Sequence, residues 1–157
     1  KRVLDIGFGN GYLLKQLSND SDADFYGIDI SEDMIKQATK RNHKKIQAGK
    51  MTLDKGSVSK LNYHNDFLDY IYTVNTVYFW EDLRQGYSEV FRVLKEGGTF
   101  ANIFYSKEWL DKLRYTKYDF KKYDPEELEN EVLKLEFKKV KLIEIKKDCA
   151  YCLLVQK

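Results

Sequence analysis

Apolar residues recur along this chain in two rhythms, short unbroken runs and spacings of three and four, and the two alternate. Arg2 to Ile6 reads as a short buried strand. After it Tyr12, Leu13, Leu14 and Leu17 supply one face of a helix that follows a glycine-rich turn. Phe25 to Ile30 reads as a second strand. Ser31 stands where an N-cap belongs, Glu32 and Asp33 fall where the helix dipole favours negative charge, and Met34, Ile35 and Ala38 form the buried stripe. That helix fades into Lys40, Arg41, His43, Lys44 and Lys45. A short third strand is expected over Met51 to Leu53 and a stronger one over Phe67 to Val74. Leu83, Tyr87, Val90, Phe91 and Leu94 then mark a helix, stopped by Gly97 and Gly98.

Thr99 to Tyr105 is the fifth strand. The aromatic and charged stretch beyond it, with Trp109, Tyr115, Tyr118 and Phe120, matches neither rhythm. Asp124, Pro125, Glu126 and Glu127 form a good helix start, with proline at the first helical position and a glutamate three residues after the cap. Lys139 to Ile145 and Ala150 to Val155 close the chain as two strands that a short connection pairs antiparallel. Strand alternating with helix, ending in a hairpin, describes a three-layer α/β sandwich around a mostly parallel sheet.

Composition narrows the picture. The 157 residues fit one domain, read here as 1–157, and a net charge of +2 argues against a dedicated nucleic-acid binder. No run approaches the roughly 18 to 20 apolar residues of a membrane span. Two cysteines and one proline exclude a disulfide framework and Pro-rich linkers, and make a reducing cytoplasm the expected compartment. The chain opens on Lys1 and is in a strand within two residues, so a preceding segment is expected; the intact mass of the native product tests this.

In such a sheet a ligand lies beyond the carboxyl ends of the strands. After the first comes Asp5-Ile6-Gly7-Phe8-Gly9-Asn10-Gly11. Glycines there allow a tight turn and close approach of a ligand, and the following helix offers free N–H donors. A dinucleotide fingerprint would need glycine where Tyr12 stands, and the Gly-Lys-Ser/Thr end of a P-loop is absent. The second strand ends in Gly27-Ile28-Asp29-Ile30-Ser31, which puts Asp29 at the same sheet edge, where a carboxylate can accept both hydroxyls of a ribose.

With Val3 to Gly11, Gly27 to Ser31 and Met34, Gly56-Ser57-Val58, Phe67 to Trp80, and Arg92 to Gly98, the chain resembles the class I S-adenosylmethionine-dependent methyltransferases, type 11 in particular. The resemblance implies a Rossmann-like three-layer α/β/α sandwich with a seven-stranded sheet in the order 3-2-1-4-5-7-6, strand 7 antiparallel. It implies S-adenosylmethionine as cofactor and S-adenosylhomocysteine as product. Gly7 and Gly9 would approach the methionyl part of the cofactor, Gly11 would complete the cofactor turn, and Asp5 would help hold the amino group. Asp29 would bind the ribose, Ile30 and Met34 would pack on adenine, and Ser57 and Val58 would meet its edge. Asn75 would lie near the methionyl moiety and the reacting methyl. The family commonly has Asp where Ser57 stands, and commonly carries cover helices ahead of the first strand, which the domain read here as 1–157 is expected to lack.

A sulfonium already activates its methyl group, so no metal and no covalent nucleophile is required, and a base helps only a protonated acceptor. His64 and Tyr78 are the conceivable bases; no catalytic residue is assigned. Tyr78 and Trp80, with Phe79 between them, are expected to wall the acceptor. Asn75-Thr76-Val77-Tyr78 shares its end members with the motif by which amino-group methyltransferases of nucleic acids hold a base, but lacks the central prolines. The lysines of 36–50 and 138–147 read as solvated faces, and Cys149 and Cys152, on a strand, as buried structural thiols. The expected acceptor is a small molecule rather than nucleic acid, with no membrane partner. The alternatives are a cofactor-binding domain with little turnover and an RNA or protein methyltransferase. Neither the acceptor nor the oligomeric state is legible here.

Overall fold

A computed structural model describes residues 1–113 and 121–157. Tyr115, Tyr118 and Phe120 lie outside the described residues. The strands are β1 (Arg2–Ile6), β2 (Asp24–Asp29), β3 (Met51–Lys55), β4 (Leu68–Val74), β5 (Leu94–Tyr105), β6 (Lys139–Lys146) and β7 (Ala150–Gln156). They form one seven-stranded sheet in the order β3-β2-β1-β4-β5-β7-β6. The first five pair parallel, and β7 runs antiparallel to both β5 and β6. Order and direction agree with what the resemblance implies.

Between the strands lie α1 (Tyr12–Asn19), α2 (Glu32–Arg41), α3 (His43–Gln47), α4 (Leu83–Val93), α5 (Lys107–Asp111) and α6 (Pro125–Leu133). Alternation along β1 separates two apolar layers. Leu4 and Ile6 join Ile71, Val90, Phe100, Leu128 and Leu153 on the face covered by α4 and α6. Val3 packs instead with Phe8, Leu14, Phe25, Ala38 and Met51 on the face covered by α1 and α2. Each fully buried Leu or Phe contributes about 1.5–3 kcal/mol, so the larger layer carries most of the apolar stabilisation.

Local chemistry explains the helix ends. Ser31 caps α2 by accepting the Met34 N–H at 3.2 Å, with Glu32 and Asp33 in the first turn and Lys40 and Arg41 in the last. Pro125 opens α6, and the Glu127 side chain accepts the Asp124 N–H at 3.2 Å.

Three expectations change. In α1 only Leu14 and Ser18 are buried, whereas Tyr12, Leu13 and Leu17 are exposed, because an eight-residue helix turns only a narrow stripe toward the sheet. Gly97 and Gly98 do not stop α4: that helix ends at Val93, and β5 starts at once with Leu94 paired to Leu68. The glycines sit inside β5, where the register against β4 shifts and Gly97 takes φ 78°. Cys149 precedes β7 rather than lying on it, although both cysteines are free and buried. No described helix is long and apolar enough to cross a membrane.

Candidate functional site

The β1–α1 turn carries three left-handed glycines with different tasks. Gly7, at φ 75°, extends the ladder by donating to the Ile28 carbonyl at 2.8 Å, and a Cβ on it would stand 2.4 Å from Thr76 Cγ2. Gly11, at φ 77°, would press a Cβ to 2.7 Å from Ala38 Cβ. Its carbonyl is gripped by the buried Asn42, whose Nδ2 donates to it at 3.1 Å. A Cβ on Gly9 would meet nothing within 4 Å, so the middle of the turn faces open space.

Asp29 ends β2 nine-tenths buried, with one carboxyl oxygen accepting the Gly9 N–H and the other the Ser31 N–H, each at 2.9 Å. Asp5 ends up deeper, at 3% exposure. Burial lifts its carboxyl to about 7; the Tyr72 phenol beside it opposes the shift, and the charge of Asp29 adds to it.

Beyond the strand ends lies a cavity of about 300 Å³. Ile6 and Gly7 form its floor; Ile28, Asp29 and Ile30 come from β2, and Gly56, Ser57 and Val58 from the loop after β3. The loop after β4 closes it with Asn75, Thr76, Phe79, Trp80 and Glu81. That loop is tied down by a directed relay. The Trp80 indole N–H donates to Thr76 Oγ1 at 3.4 Å, the Thr76 and Thr73 hydroxyls are in contact, and Thr73 Oγ1 donates to the Ile6 carbonyl at 2.7 Å. Since Thr73 gives its one proton to Ile6, Thr76 gives its own to Thr73. Trp80 is 4% exposed and lies where a Cβ on Gly86 of α4 would come within 2.6 Å of the indole.

Of the residues expected from sequence, Gly7, Asp29, Ile30, Ser57, Val58, Asn75 and Trp80 line this cavity. Gly9 is not part of the lining, although its N–H is held by Asp29, which is. Asp5, Gly11 and Met34 do not line it: Asp5 is buried beside Tyr72, Gly11 ends the turn against Ala38 and Asn42, and Met34 stands half-buried on α2. Tyr78 also stays out of the lining, because its hydroxyl is engaged by Asn75 and by the Tyr105 N–H. His64 is exposed, its ring edge-on to Phe67, away from the cavity. Sequence reasoning missed Ile28, Thr76 and Glu81; position within or just after a parallel strand was the available signal for Ile28 and Thr76, whereas Glu81 lies seven residues beyond β4 and carries no such mark.

A second cavity of about 300 Å³, lined by Asp54, Lys55, Lys60 and Tyr63, shares the Ile28–Gly56 wall with the first. Among the described residues no group of three or more His, Cys, Asp or Glu could hold a metal ion.

This architecture has relatives. The chain matches the family described as "Methyltransferase domain" over residues 3–98, more than half its length. The Bacillus subtilis protein "Uncharacterized methyltransferase YdaC" is 34% identical over 100 residues, 63% of this chain and 53% of that protein. The sterol 24-C-methyltransferase of Pneumocystis carinii is 32% identical over 117 residues, 74% of this chain and 30% of its own length. The chain thus spans about half the length, or less, of these curated relatives. Among solved structures, a SAM dependent methyltransferase from Aquifex aeolicus superposes with a TM-score of 0.81 over 98% of this chain and 80% of that one, at 23% identity. Haemonchus contortus "Phospholethanolamine N-methyltransferase 2", in complex with phosphomonomethylethanolamine and S-adenosylhomocysteine, gives a TM-score of 0.85 over 100% of this chain and 49% of that one, at 16% identity. At those identities the likeness is one of fold, whereas the family match rests on the sequence itself, across the stretch that builds the turn, the cavity and its loops: the chain belongs to the methyltransferase domain family.

Proposed function

We propose that this chain transfers a methyl group from S-adenosylmethionine to a small-molecule acceptor by in-line displacement. The observation that carries the reading is one cavity bounded by Gly7 at one end and by Asp29 and Ile30 at the other. The residues present fit the cofactor. The space in front of Gly9 admits a ligand where any side chain would intrude. Each Asp29 oxygen accepts only one backbone N–H, so lone pairs remain for two ribose hydroxyls. Ile28, Ile30 and Val58 offer apolar surface to a purine, with the Ser57 hydroxyl at its edge.

When bound, the cofactor supplies a methyl group already activated by its sulfonium. The protein's part is placement and dryness. Asp29 orients the nucleoside, the Gly7 turn and Asn75 stand at the amino-acid end, and Phe79 and Trp80 cover the region from water. The small-molecule acceptor is supported by relatives named as sterol 24-C-methyltransferase and, from Leptospira interrogans, demethylmenaquinone methyltransferase. Calorimetric titration with S-adenosylhomocysteine, followed by labelled methyl transfer into a metabolite pool, tests the reading. Saturable binding and label in a small molecule are expected. Label incorporated only into RNA or protein overturns the acceptor class, and absence of binding overturns the whole reading.

A further inference from the structure

We infer that Tyr78 is a positioning residue that turns the Asn75 carboxamide so that its Nδ2 donates to the carboxylate at the amino-acid end of the cofactor. The inference rests on the reading of the cavity just given. Asn75 leaves β4 in the left-handed region at φ 56°, its backbone N–H held by the Ile103 carbonyl at 2.9 Å. Tyr78 lies under it, 3% exposed. The phenol oxygen accepts the Tyr105 N–H at 2.6 Å and donates its single proton to Asn75 Oδ1 at 2.8 Å. A flipped amide would place two donors against that hydroxyl and leave its proton without this acceptor, so the bond fixes which edge of the amide faces outward. The outward edge is Nδ2, a donor.

Competing side-chain donors of Thr73, Thr76 and Trp80 are already engaged. Trp80 gives its indole proton to Thr76, Thr76 gives its hydroxyl proton to Thr73, and Thr73 gives its own to Ile6. Asp29 and Glu81 are acids, and among the described residues no lysine or arginine lines the cavity. A carboxylate entering an acid-bordered space needs a donor, and Asn75 Nδ2 is the side-chain donor at that end that no described residue occupies.

The test compares S-adenosylhomocysteine with methylthioadenosine, which keeps the nucleoside and lacks the amino-acid carboxylate, in calorimetric titrations of the wild type, Asn75→Asp, Asn75→Gly and Tyr78→Phe. Asn75→Asp keeps an acceptor for Tyr78 and removes the donor; Asn75→Gly suits the positive φ. Both Asn75 variants are expected to weaken S-adenosylhomocysteine about tenfold to a hundredfold and leave methylthioadenosine within about twofold. Tyr78→Phe should weaken S-adenosylhomocysteine alone by a smaller factor, and add nothing in an Asn75→Gly background. A purely structural role would move both ligands together. Equal losses for both ligands, or unchanged S-adenosylhomocysteine binding in Asn75→Gly, overturns the inference while the cavity reading stands. Failure of the wild type to bind either ligand overturns both.

Discussion

The Gly9 amide donates to Asp29 Oδ2 at 2.9 Å, joining two residues 20 positions apart in sequence. The bond exists because β1 and β2 are parallel neighbours in register, Ile6 opposite Ile28, so both strands deliver their following residues to the same sheet edge. It makes the turn and the acid one unit: the carboxyl that would hold a ribose also sets the shape of the loop in front of it.

Replacing Asp29 by Ala therefore removes a ligand contact and a turn support together. The expected loss of S-adenosylhomocysteine affinity is about one to two decades, from charged hydrogen bonds worth roughly 1.5–3 kcal/mol. Calorimetry checks the affinity, and affinity equal to wild type would remove Asp29 from the site.

Gly7 and Gly9 should separate stability from binding. Gly7→Ala puts a methyl 2.4 Å from Thr76 Cγ2 and should cost roughly 2–4 kcal/mol in urea unfolding, strain at φ 75° plus the clash. Gly9→Ala meets nothing in the free chain and should cost only about 1–2 kcal/mol, yet abolish cofactor binding by filling the space ahead of the turn. Equal effects of the two variants on binding and stability would show that Gly9 fronts no ligand.

Asp5 predicts an unusual pH dependence. Its folded-state carboxyl is raised from 3.8 to about 7, so the folded chain holds a proton that the unfolded chain releases. The Asp5 contribution is thus complete below about pH 4 and is lost as pH rises toward 7. Asp5→Asn should flatten that slope and, at pH 8, stabilise the chain by an amount on the order of 1–4 kcal/mol. Urea unfolding of both proteins at pH 5 and pH 8 measures it; parallel losses across that interval would assign the slope to other groups.

Arg92 anchors the segment ahead of β4. Its guanidinium donates to the Leu61 and Tyr63 carbonyls, each at 2.8 Å, and pairs with Glu89 at 2.6 Å. Lysine cannot reproduce this fork, so Arg92→Lys should cost roughly 1–3 kcal/mol and raise hydrogen exchange in residues 61–65. Unchanged exchange there would show that the segment is held by the Tyr26, Tyr63 and Phe67 ring cluster instead.

Strand positions were legible because a buried strand is a short apolar run bounded by turn residues; parallel β4 and antiparallel β7 both begin and end within one residue of the pattern's bounds. The turn and Asp29 were legible because positive φ and sheet-edge position leave marks in residue type. Less legible were matters of facing. Tyr12, Leu13 and Leu17 carry a helix period yet stay exposed, since periodicity gives a face and not what covers it. Tyr78 follows β4 as a wall residue would, but its hydroxyl found the Tyr105 amide, 27 positions away.

What the sequence determined by itself was the alternation of elements and the two chemical marks at the strand ends, because backbone conformation and local burial act over a few residues. Only the tertiary structure decided which of Asp5 and Asp29 borders the cavity, which edge of Asn75 faces it, and that the side chains of Thr76 and Trp80 have their protons engaged. Those outcomes depend on hydrogen bonds closed between distant segments, and such bonds are set by strand register and packing, which no local stretch of residues encodes.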